Sequence, residues 1–268
     1  SIKDGHYLYH ARARLIFRCE PPIRQQEFPC PALRGLLGWC LASLPTVAAK
    51  SFLNDRFHPD SPDPPSWRMW CEEPPDEEKG VFAVYFGCFG SYASLDLREI
   101  VSAFQHPVGP LTIRDVPHQI ELLESDAYEE HQLSPLEAKG DWRAEPRPLW
   151  LHFHTPLLMR SGKTHYAADE LTPEKIMESA RNRFCRIQGQ LRIRDLPPLP
   201  KATIRENRLM DVELPITQSR KQRQHRGIMG SLCVEAHGAD ALHWLKMGML
   251  LGVGASVSYG LGAYSVEA

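Results

Sequence analysis

The alternation of hydrophobic and polar positions predicts a regular order of strands and helices in the first half of the chain. Apolar residues at every second position, or in short continuous runs, indicate strands, whereas a spacing of three or four residues indicates an amphipathic helix. The predicted elements are a strand at 7–20, a helix at 32–44, a strand at 81–90, a helix at 94–105 and a strand at 111–124. The stretch 59–79 is rich in prolines and acids, so we expect a surface excursion there.

The second half of the chain repeats this order. The predicted elements are a strand at 147–159, a helix at 171–189, strands within 210–218 and 228–237, a helix at 240–252 and a closing strand within 259–268. The basic segment 219–227 joins the two middle strands. An order of strand, helix, strand, strand, helix, strand is the split βαβ arrangement.

Residues that favour helix starts support three of the predicted helices. Pro31 suits the first turn of the helix at 32–44, where a missing N–H costs nothing. Ser94 is the expected N-cap of the helix at 94–105. Thr172 and Pro173, followed by the acid Glu174, give a cap, a first residue and an early-turn carboxylate to the helix at 171–189.

The element order predicts an α+β fold of two tandem ferredoxin-like (RRM-like, split βαβ) domains. We expect an N-terminal domain at 1–140 with a surface insertion near 50–80, and a C-terminal domain at 146–268 with a basic hairpin and a glycine-rich loop. An acidic, loop-like link runs through Glu145. Sheets of this kind serve as RNA-binding platforms, although a fold alone does not establish a function.

Composition narrows the class of protein. The chain has 268 residues, of which 43% are hydrophobic and 24% charged, as in an ordinary soluble globular protein. No run approaches the roughly 18 apolar residues of a membrane span, and the first residues lack the apolar stretch of a signal peptide. The seven cysteines are scattered without a C-x-x-C pair, which argues against a disulfide framework and a zinc cluster and favours small buried side chains in a reducing cytosol.

Charge is distributed unevenly between the halves. Residues 1–140 hold 13 Lys and Arg against 20 Asp and Glu, a net charge of −7, whereas residues 141–268 hold 18 against 13, a net charge of +5. Between Arg181 and Arg226 there are 12 basic and 4 acidic residues. Such asymmetry indicates a polyanionic partner for the second half.

The glycine-rich stretch at 250–264, LLGVGASVSYGLGAY, contains two Gly-x-Gly pairs. A dinucleotide-binding fingerprint follows a strand and opens a helix, whereas here a predicted helix precedes the glycines and a strand follows them. Val257 also stands where a third glycine would be needed, and no G-K-[ST] follows for a phosphate-binding P-loop. The stretch is therefore a bare turn between the last helix and the last strand.

Three stretches of the sequence resemble one family. The glycine-rich stretch at 250–266 is similar to the C-terminal signature of the RAMP superfamily of CRISPR systems. The stretch PCPALRGLLGWCL at 29–41 resembles the Arg-Gly helix of the CRISPR repeat-processing endoribonucleases, and QSRKQRQHRGIMGSLCVEA at 218–236 resembles their basic hairpin. The resemblance spans nearly the whole chain. It implies two tandem ferredoxin-like domains, the same fold that the element order predicts.

The resemblance implies a metal-independent endoribonuclease that needs no cofactor. Its substrate would be a CRISPR repeat hairpin in precursor RNA, cut by attack of the ribose 2′-hydroxyl to leave a 2′,3′-cyclic phosphate and a 5′-hydroxyl. The product would be a guide RNA that retains its 3′ hairpin. The implied partners are this RNA and other CRISPR effector subunits, in the cytoplasm of a prokaryote.

The sequence departs from the family at the first helix. Many members place a catalytic histidine at or just before this helix, but residues 27–44 contain no His, Tyr or Lys. Arg24 and Arg34 stand there instead, and a planar guanidinium suits the charge of a phosphorane better than it suits a general base. We expect both arginines to bind the scissile phosphate. The presence of arginine in place of histidine suggests the type IV branch of the family. Alternatively, Arg34 pairs with an acid at the helix surface and Arg24 is simply solvated.

The basic hairpin supplies the other candidate catalytic residues. His225, with Arg226 beside it, has the range of pKa that acid or base work requires, and nearby cations would favour its neutral form. We expect the remaining cations of this hairpin, Arg220, Lys221 and Arg223, to contact RNA phosphates. The alternative for His225 is an exposed loop histidine among solvated charges.

Further candidate RNA-binding residues lie on either side of this hairpin. Arginines on and after the helix at 171–189 are expected to grip the repeat hairpin, or else to form an exposed cationic face: Arg181, Arg186, Arg192 and Arg194. In the glycine-rich stretch we expect backbone amides and a serine to meet RNA or the neighbouring domain, with a purely structural turn as the alternative: Gly252, Gly254, Ser256, Gly260 and Gly262. His152 and His154 have the spacing of metal ligands but lack a nearby carboxylate or Cys in sequence, so we expect no metal site.

Two other classes of function compete with the enzyme. The first is a catalytically inactive RAMP-type subunit that binds guide RNA in an effector complex, which the missing base near the first helix favours. The second is a protein scaffold without RNA, which leaves the basic excess at 181–226 unexplained.

Overall fold

The computed structural model describes residues 8–57, 66–127, 131–133, 148–161, 164–188, 194, 196, 198–214 and 226–268. The first half contains β1 (Leu8–Glu20), α1 (Cys30–Ser43), α2 (Val47–Ser51), a π-helical turn (Phe52–Arg56), β2 (Trp67–Trp70), β3 (Val81–Phe89), α3 (Ala93–Gln105), β4 (Leu111–Ile113), β5 (Val116–Ala127) and β6 (His131–Leu133). The second half contains β7 (Pro148–Leu157), β8 (Arg160–Ser161), β9 (Thr164–His165), a 3-10 turn (Ala168–Glu170), α4 (Pro173–Gln188), β10 (Ala202–Glu213), β11 (Arg226–Ala236), α5 (Ala239–Leu251), a second 3-10 turn (Val257–Tyr259) and β12 (Tyr264–Glu267).

The chain divides into two compact units. The N-terminal unit comprises Tyr9–His131 together with a three-residue segment from near the other end of the chain, Ser258–Gly260. The C-terminal unit takes its described residues from Ser1–Leu8, Gln132–Val257 and Leu261–Ala268. The boundary expected between residues 140 and 146 lies outside the described residues.

An antiparallel sheet forms the base of the N-terminal unit, with strand order β2-β3-β1-β5-β4. The alternation that predicts β1 places Leu15, Phe17 and Cys19 on its buried face, as the two-residue period requires. Phe17 stacks on Phe82 of β3 and meets Phe104 of α3 edge-on, with 5.1 Å between ring centroids in each pair. These rings fix α3 against the sheet because offset and edge-on contacts are the favoured aromatic geometries.

The C-terminal unit is built on an antiparallel sheet with strand order β10-β11-β7-β12. Leu151 of β7 and Leu232 and Val234 of β11 are fully buried under the two helices of this unit. Phe184 of α4 meets Trp244 of α5 edge-on, with their centroids 6.0 Å apart. One face of the sheet therefore carries the core, and the opposite face carries the remaining side chains of each strand.

Two of the three predicted helix starts and the burial of the cysteines are confirmed. The Lys175 N–H donates to Thr172 Oγ1 at 3.4 Å, so the expected cap of α4 is confirmed. Pro31 lies in the first turn of α1, also as predicted. None of the seven cysteines forms a disulfide, and all seven are buried. Within the ranges described above, no helix combines the length and the apolar character that crossing a bilayer requires.

Three local predictions are wrong. The segment 111–124 is a hairpin, because Arg114 and Asp115 adopt φ values of 47° and 65° and turn the chain between β4 and β5. Ser94 is not the N-cap of α3; Tyr92 occupies that position without a side-chain cap. The stretch 59–79 is not wholly a surface excursion, because β2 within it is buried along its length (Trp67–Trp70).

A buried ion pair joins the π-helical turn to the first turn of α3. Arg56 donates from Nε and Nη2 to the two carboxylate oxygens of Asp96, both at 2.6 Å. The Asp96 side chain is only 1% exposed. Burial raises the pKa of Asp96, and the Arg56 guanidinium opposes that shift. The carboxylate therefore depends on its arginine partner to remain charged in this place.

Replacing Arg56 by alanine is expected to lower the free energy of unfolding by about 3–5 kcal/mol, because it leaves the Asp96 carboxylate buried without its partner. Urea unfolding measures this change. The exposed pair between Arg18 and Glu121 is the control, and Arg18→Ala is expected to cost less than about 1 kcal/mol. Equal losses for the two variants would contradict a structural role for the buried pair.

Candidate functional site

Arg34 of α1 is a buried cation held among aromatic rings. It lies between Leu33 and Leu37 on the inward face of the helix and is 7% exposed. The centre of its guanidinium lies 4.4 Å from the ring centroid of Tyr259, 4.9 Å from that of Phe57 and 5.8 Å from that of Trp67. We call these three rings the aromatic cage.

Two hydrogen bonds complete the surroundings of Arg34. Its Nε donates to Ser258 Oγ and its Nη2 to the Phe57 carbonyl, each at 3.4 Å. Burial lowers the pKa of Arg34, and Tyr259 acts in the opposite direction. The alternative in which Arg34 pairs with an acid at the helix surface is wrong, because the side chain points inward and these contacts are to π faces, a hydroxyl and a carbonyl.

The glycine-rich stretch reaches the cage through residues 258–260, which belong to the N-terminal unit. Gly260 has a φ of 90°, and a Cβ there would lie 2.6 Å from Cys30 Cβ at the start of α1. Gly254 has a φ of 76°, and a Cβ there would lie 2.5 Å from the Leu158 carbonyl oxygen. Both positions therefore require glycine for their backbone conformation and for the close approach of the chain.

Most of the glycine amides donate hydrogen bonds within the chain. Gly252 N–H donates to the Gly248 carbonyl at 2.8 Å and Gly262 N–H to the Pro156 carbonyl at 3.0 Å. Gly254 N–H donates to Ser179 Oγ at 2.8 Å. These three amides hold the turn and have no second hydrogen to offer a phosphate. Ser256, the other candidate here, is buried with a φ of 60°.

The predicted arginines of the site occupy different environments. Arg24 is exposed in the loop before α1, where its carbonyl accepts from the Glu27 N–H at 2.9 Å. Arg226 is exposed at the first position of β11. Of the α4 arginines, Arg186 is exposed and Arg181 is half-buried. Arg194 is also exposed.

Several candidates lie outside the described residues, and their predicted roles stay predictions: Arg192, Arg220, Lys221, Arg223 and His225. The structure thus brings Arg34 together with Ser258 and Tyr259, whereas Arg24 is exposed. The cage itself was missed by sequence reasoning. Its one sequence signal is an arginine at a position of α1 that helical spacing assigns to the buried face.

The two histidines of β7 are not arranged as metal ligands. His152 Nδ1 is 2.8 Å from Ser231 Oγ, and its Nε2 is 3.4 Å from a carboxylate oxygen of Glu267. His154 is exposed. Over the part of the chain that the structure covers, no group of three or more His, Cys, Asp or Glu side chains has the arrangement to hold a metal ion.

Residues 151–264 match the family model described as CRISPR-associated endoribonuclease Cas6. This range begins in the central strand β7 of the C-terminal unit and ends at the first residue of β12, so it includes the basic segment and the glycine-rich stretch. No curated protein sequence matches the chain significantly.

Solved structures share the fold over nearly the whole chain. A Cas6 product complex superposes with a TM-score of 0.64 at 18% identity, over 96% of this chain and 99% of the other. Cas6 from Thermus thermophilus gives a TM-score of 0.61 at 16% identity, over 98% and 100%. An RAMP protein that binds different RNA substrates gives 0.59 at 14% identity, over 96% and 100%.

These superpositions confirm the predicted fold class, an α+β fold of two tandem ferredoxin-like domains. The sequence match covers the C-terminal unit, and the shared fold extends to the N-terminal one. The similarity to the Cas6 family model therefore extends over residues 151–264, and the similarity of fold to Cas6 and RAMP structures extends over nearly the whole chain.

Proposed function

We propose that this protein is a metal-independent endoribonuclease that cleaves CRISPR repeat hairpins in precursor RNA to make guide RNA. The observation that carries the proposal is the Cas6 family match over 151–264, which contains the basic segment and the glycine-rich stretch. The excess of 12 basic over 4 acidic residues between Arg181 and Arg226 supports a polyanionic substrate for the same region.

The proposed reaction uses the RNA's own ribose as nucleophile. The 2′-oxygen forms a bond to the adjacent phosphorus while the bond from phosphorus to the 5′-oxygen breaks, so the products carry a 2′,3′-cyclic phosphate and a 5′-hydroxyl. A base takes the 2′-hydroxyl proton, an acid gives a proton to the leaving 5′-oxygen, and cations stabilise the extra charge on the non-bridging oxygens. A substrate without the 2′-hydroxyl has no nucleophile.

Arginines and one histidine of the sequence are proposed for these roles. Arg24 is exposed, and its planar guanidinium suits two phosphate oxygens at once. Arg34 supplies a fixed positive charge whose orientation the aromatic cage determines. His225 is the proposed acid or base, with Arg226 as its cationic neighbour. Arg220, Lys221, Arg223, Arg181, Arg186, Arg192 and Arg194 are proposed to bind the repeat hairpin.

The burial of Arg34 refines its proposed role. Because only 7% of Arg34 is exposed, little of its side chain can contact a substrate. Its main effect is to hold Ser258 and Tyr259 in position and to supply positive charge behind them. A charge acts over a longer distance in such a low-dielectric setting than it does in water. Arg34 is therefore proposed as a positioning and electrostatic residue for the scissile phosphate.

Other features of the proposal follow from the same family. We propose that the product stays bound through its 3′ hairpin, that further CRISPR effector subunits bind the complex, and that the protein acts in the prokaryotic cytoplasm. The arginines at 24 and 34, in a region without His, Tyr or Lys, favour the type IV branch. The same absence of an ordinary base favours the second candidate, a catalytically inactive guide-RNA-binding subunit.

Cleavage of a labelled repeat hairpin in EDTA tests the central proposal. We expect the RNA to be cut without a divalent metal, and a copy with a single 2′-deoxy nucleotide at the cut site to remain intact, because the attacking oxygen is gone. Gel analysis with phosphatase and kinase treatment identifies the two new ends. Binding without cleavage would support the inactive subunit, and a requirement for Mg²⁺ would contradict metal independence.

Replacement of Arg34 by methionine tests the buried cation. Methionine fills a similar space without charge, so we expect the single-turnover cleavage rate to fall about a hundredfold, the usual effect of losing a fixed charge-stabilising group. The matched control is Arg98→Met on the exposed face of α3, which is expected to cleave normally. Thermal melting of both variants checks the fold, and a normal rate for a folded Arg34→Met would remove this residue from the reaction.

A further inference from the structure

The sheet of the C-terminal unit has a second face that the proposed reaction does not use. Along β7, Leu149, Leu151 and Phe153 are buried toward the helices, and the residues between them point to the opposite face. Those residues are Trp150 and His152. We call this the open face, and its surface is unusually rich in flat side chains.

Three planar groups form a row across the open face. The rings of Trp150 and His152 are nearly parallel, with centroids 6.0 Å apart and an interplanar angle of 10°. The guanidinium of Arg208, from β10, lies 4.8 Å from the Trp150 ring centroid. Arg208 reaches this position across β11, where the residues in register are small: Ser231 opposite His152, and Cys233 opposite Trp150.

Polar contacts hold the row in place. His152 Nδ1 lies 2.8 Å from Ser231 Oγ, and its Nε2 lies 3.4 Å from Glu267 Oε2. Arg208 pairs with Glu206 on its own strand, and Arg205 pairs with Glu235 of β11. The charged groups are thus matched by opposite charges. Arg208 is 64% and His152 33% exposed, and Trp150 between them is half-buried.

The position of the row suits a nucleic-acid base. RNA-binding domains with a four-stranded sheet stack bases on aromatic side chains of that sheet. Trp150 and His152 lie on β7, an inner strand of such a four-stranded sheet. A flat, charge-balanced row fits a strand of nucleic acid whose bases stack on aromatic side chains.

We propose that the open face binds unpaired nucleobases of single-stranded RNA, by stacking on Trp150 and His152. The proposal rests on the proposed function in taking RNA as the ligand. It adds a site for the unpaired RNA that flanks a repeat hairpin, separate from the residues assigned to cleavage. Stacking is tolerant of sequence because every base has a π face, so this site would hold the flank without reading it.

Binding of a single-stranded eight-nucleotide RNA to the full chain tests the site. Trp150→Ala is expected to weaken binding about tenfold, as the loss of one base–aromatic stack does, whereas Trp150→Phe keeps a ring and is expected to bind within about twofold of the parent protein. Trp39→Ala is the matched control, because Trp39 is 73% exposed on α1 and lies outside the site. Fluorescence anisotropy gives the affinities, and thermal melting shows that each variant is folded.

Ultraviolet crosslinking of the same RNA, followed by peptide mass spectrometry, locates the contact. A crosslinked peptide that contains Trp150 and His152 is the expected result. Equal affinity of the parent protein and folded Trp150→Ala, or crosslinks that fall only elsewhere, would overturn the site. Failure of the parent protein to cleave the hairpin in EDTA would instead overturn the proposed function. The binding and crosslinking of single-stranded RNA would still decide whether the open face binds nucleobases.

Discussion

The burial of one arginine determines much of the candidate site. Moving a guanidinium out of water costs several kcal/mol unless other groups replace its solvation. Around Arg34, the replacement comes from the rings of Phe57, Trp67 and Tyr259, with hydrogen bonds to Ser258 Oγ and the Phe57 carbonyl. Desolvated contacts between a cation and a ring are worth about 2 kcal/mol or more, so several together offset the cost of burial. The cage and the cation therefore stabilise each other.

The glycines of the 250–264 stretch make this arrangement possible. Their left-handed conformations let the chain turn twice within a few residues, and the missing Cβ atoms let it touch Cys30 and the Leu158 carbonyl. The internal bonds of three glycine amides fix the turn on both sides of Tyr259. The glycines of this stretch are thus required, in the first place, by the packing of the backbone. Any contact with RNA depends on the side chains that this packing presents.

The sequence predicted the elements with strong periodicity and missed those without a local signal. The alternation in β1 and the cap at Thr172 were read correctly because each depends on neighbouring residues. The turn at Arg114 and Asp115 was missed, since arginine is not a usual residue for positive φ and no glycine marks the turn. The strand Trp67–Trp70 was missed because prolines and acids surround a very short apolar run.

The site was harder to predict than the fold because its contacts are distant in sequence. Arg34 and Ser258 are separated by 224 positions, and no pattern within a single stretch indicates that they meet. The row on the open face was not predicted for the same reason. Trp150 and Arg208 come together only through the register of β7, β11 and β10. The resemblance of short motifs indicated which segments matter, whereas the environment of each side chain required the structure.

The membership of Ser258–Gly260 in the N-terminal unit has a consequence for biosynthesis. Domains of a nascent chain usually fold in order as each leaves the ribosome. Here, the first unit lacks one wall around its buried cation until Ser258 has been synthesised, 224 positions after Arg34. The surroundings of α1 are therefore completed only after β11 and α5 of the other unit have been translated.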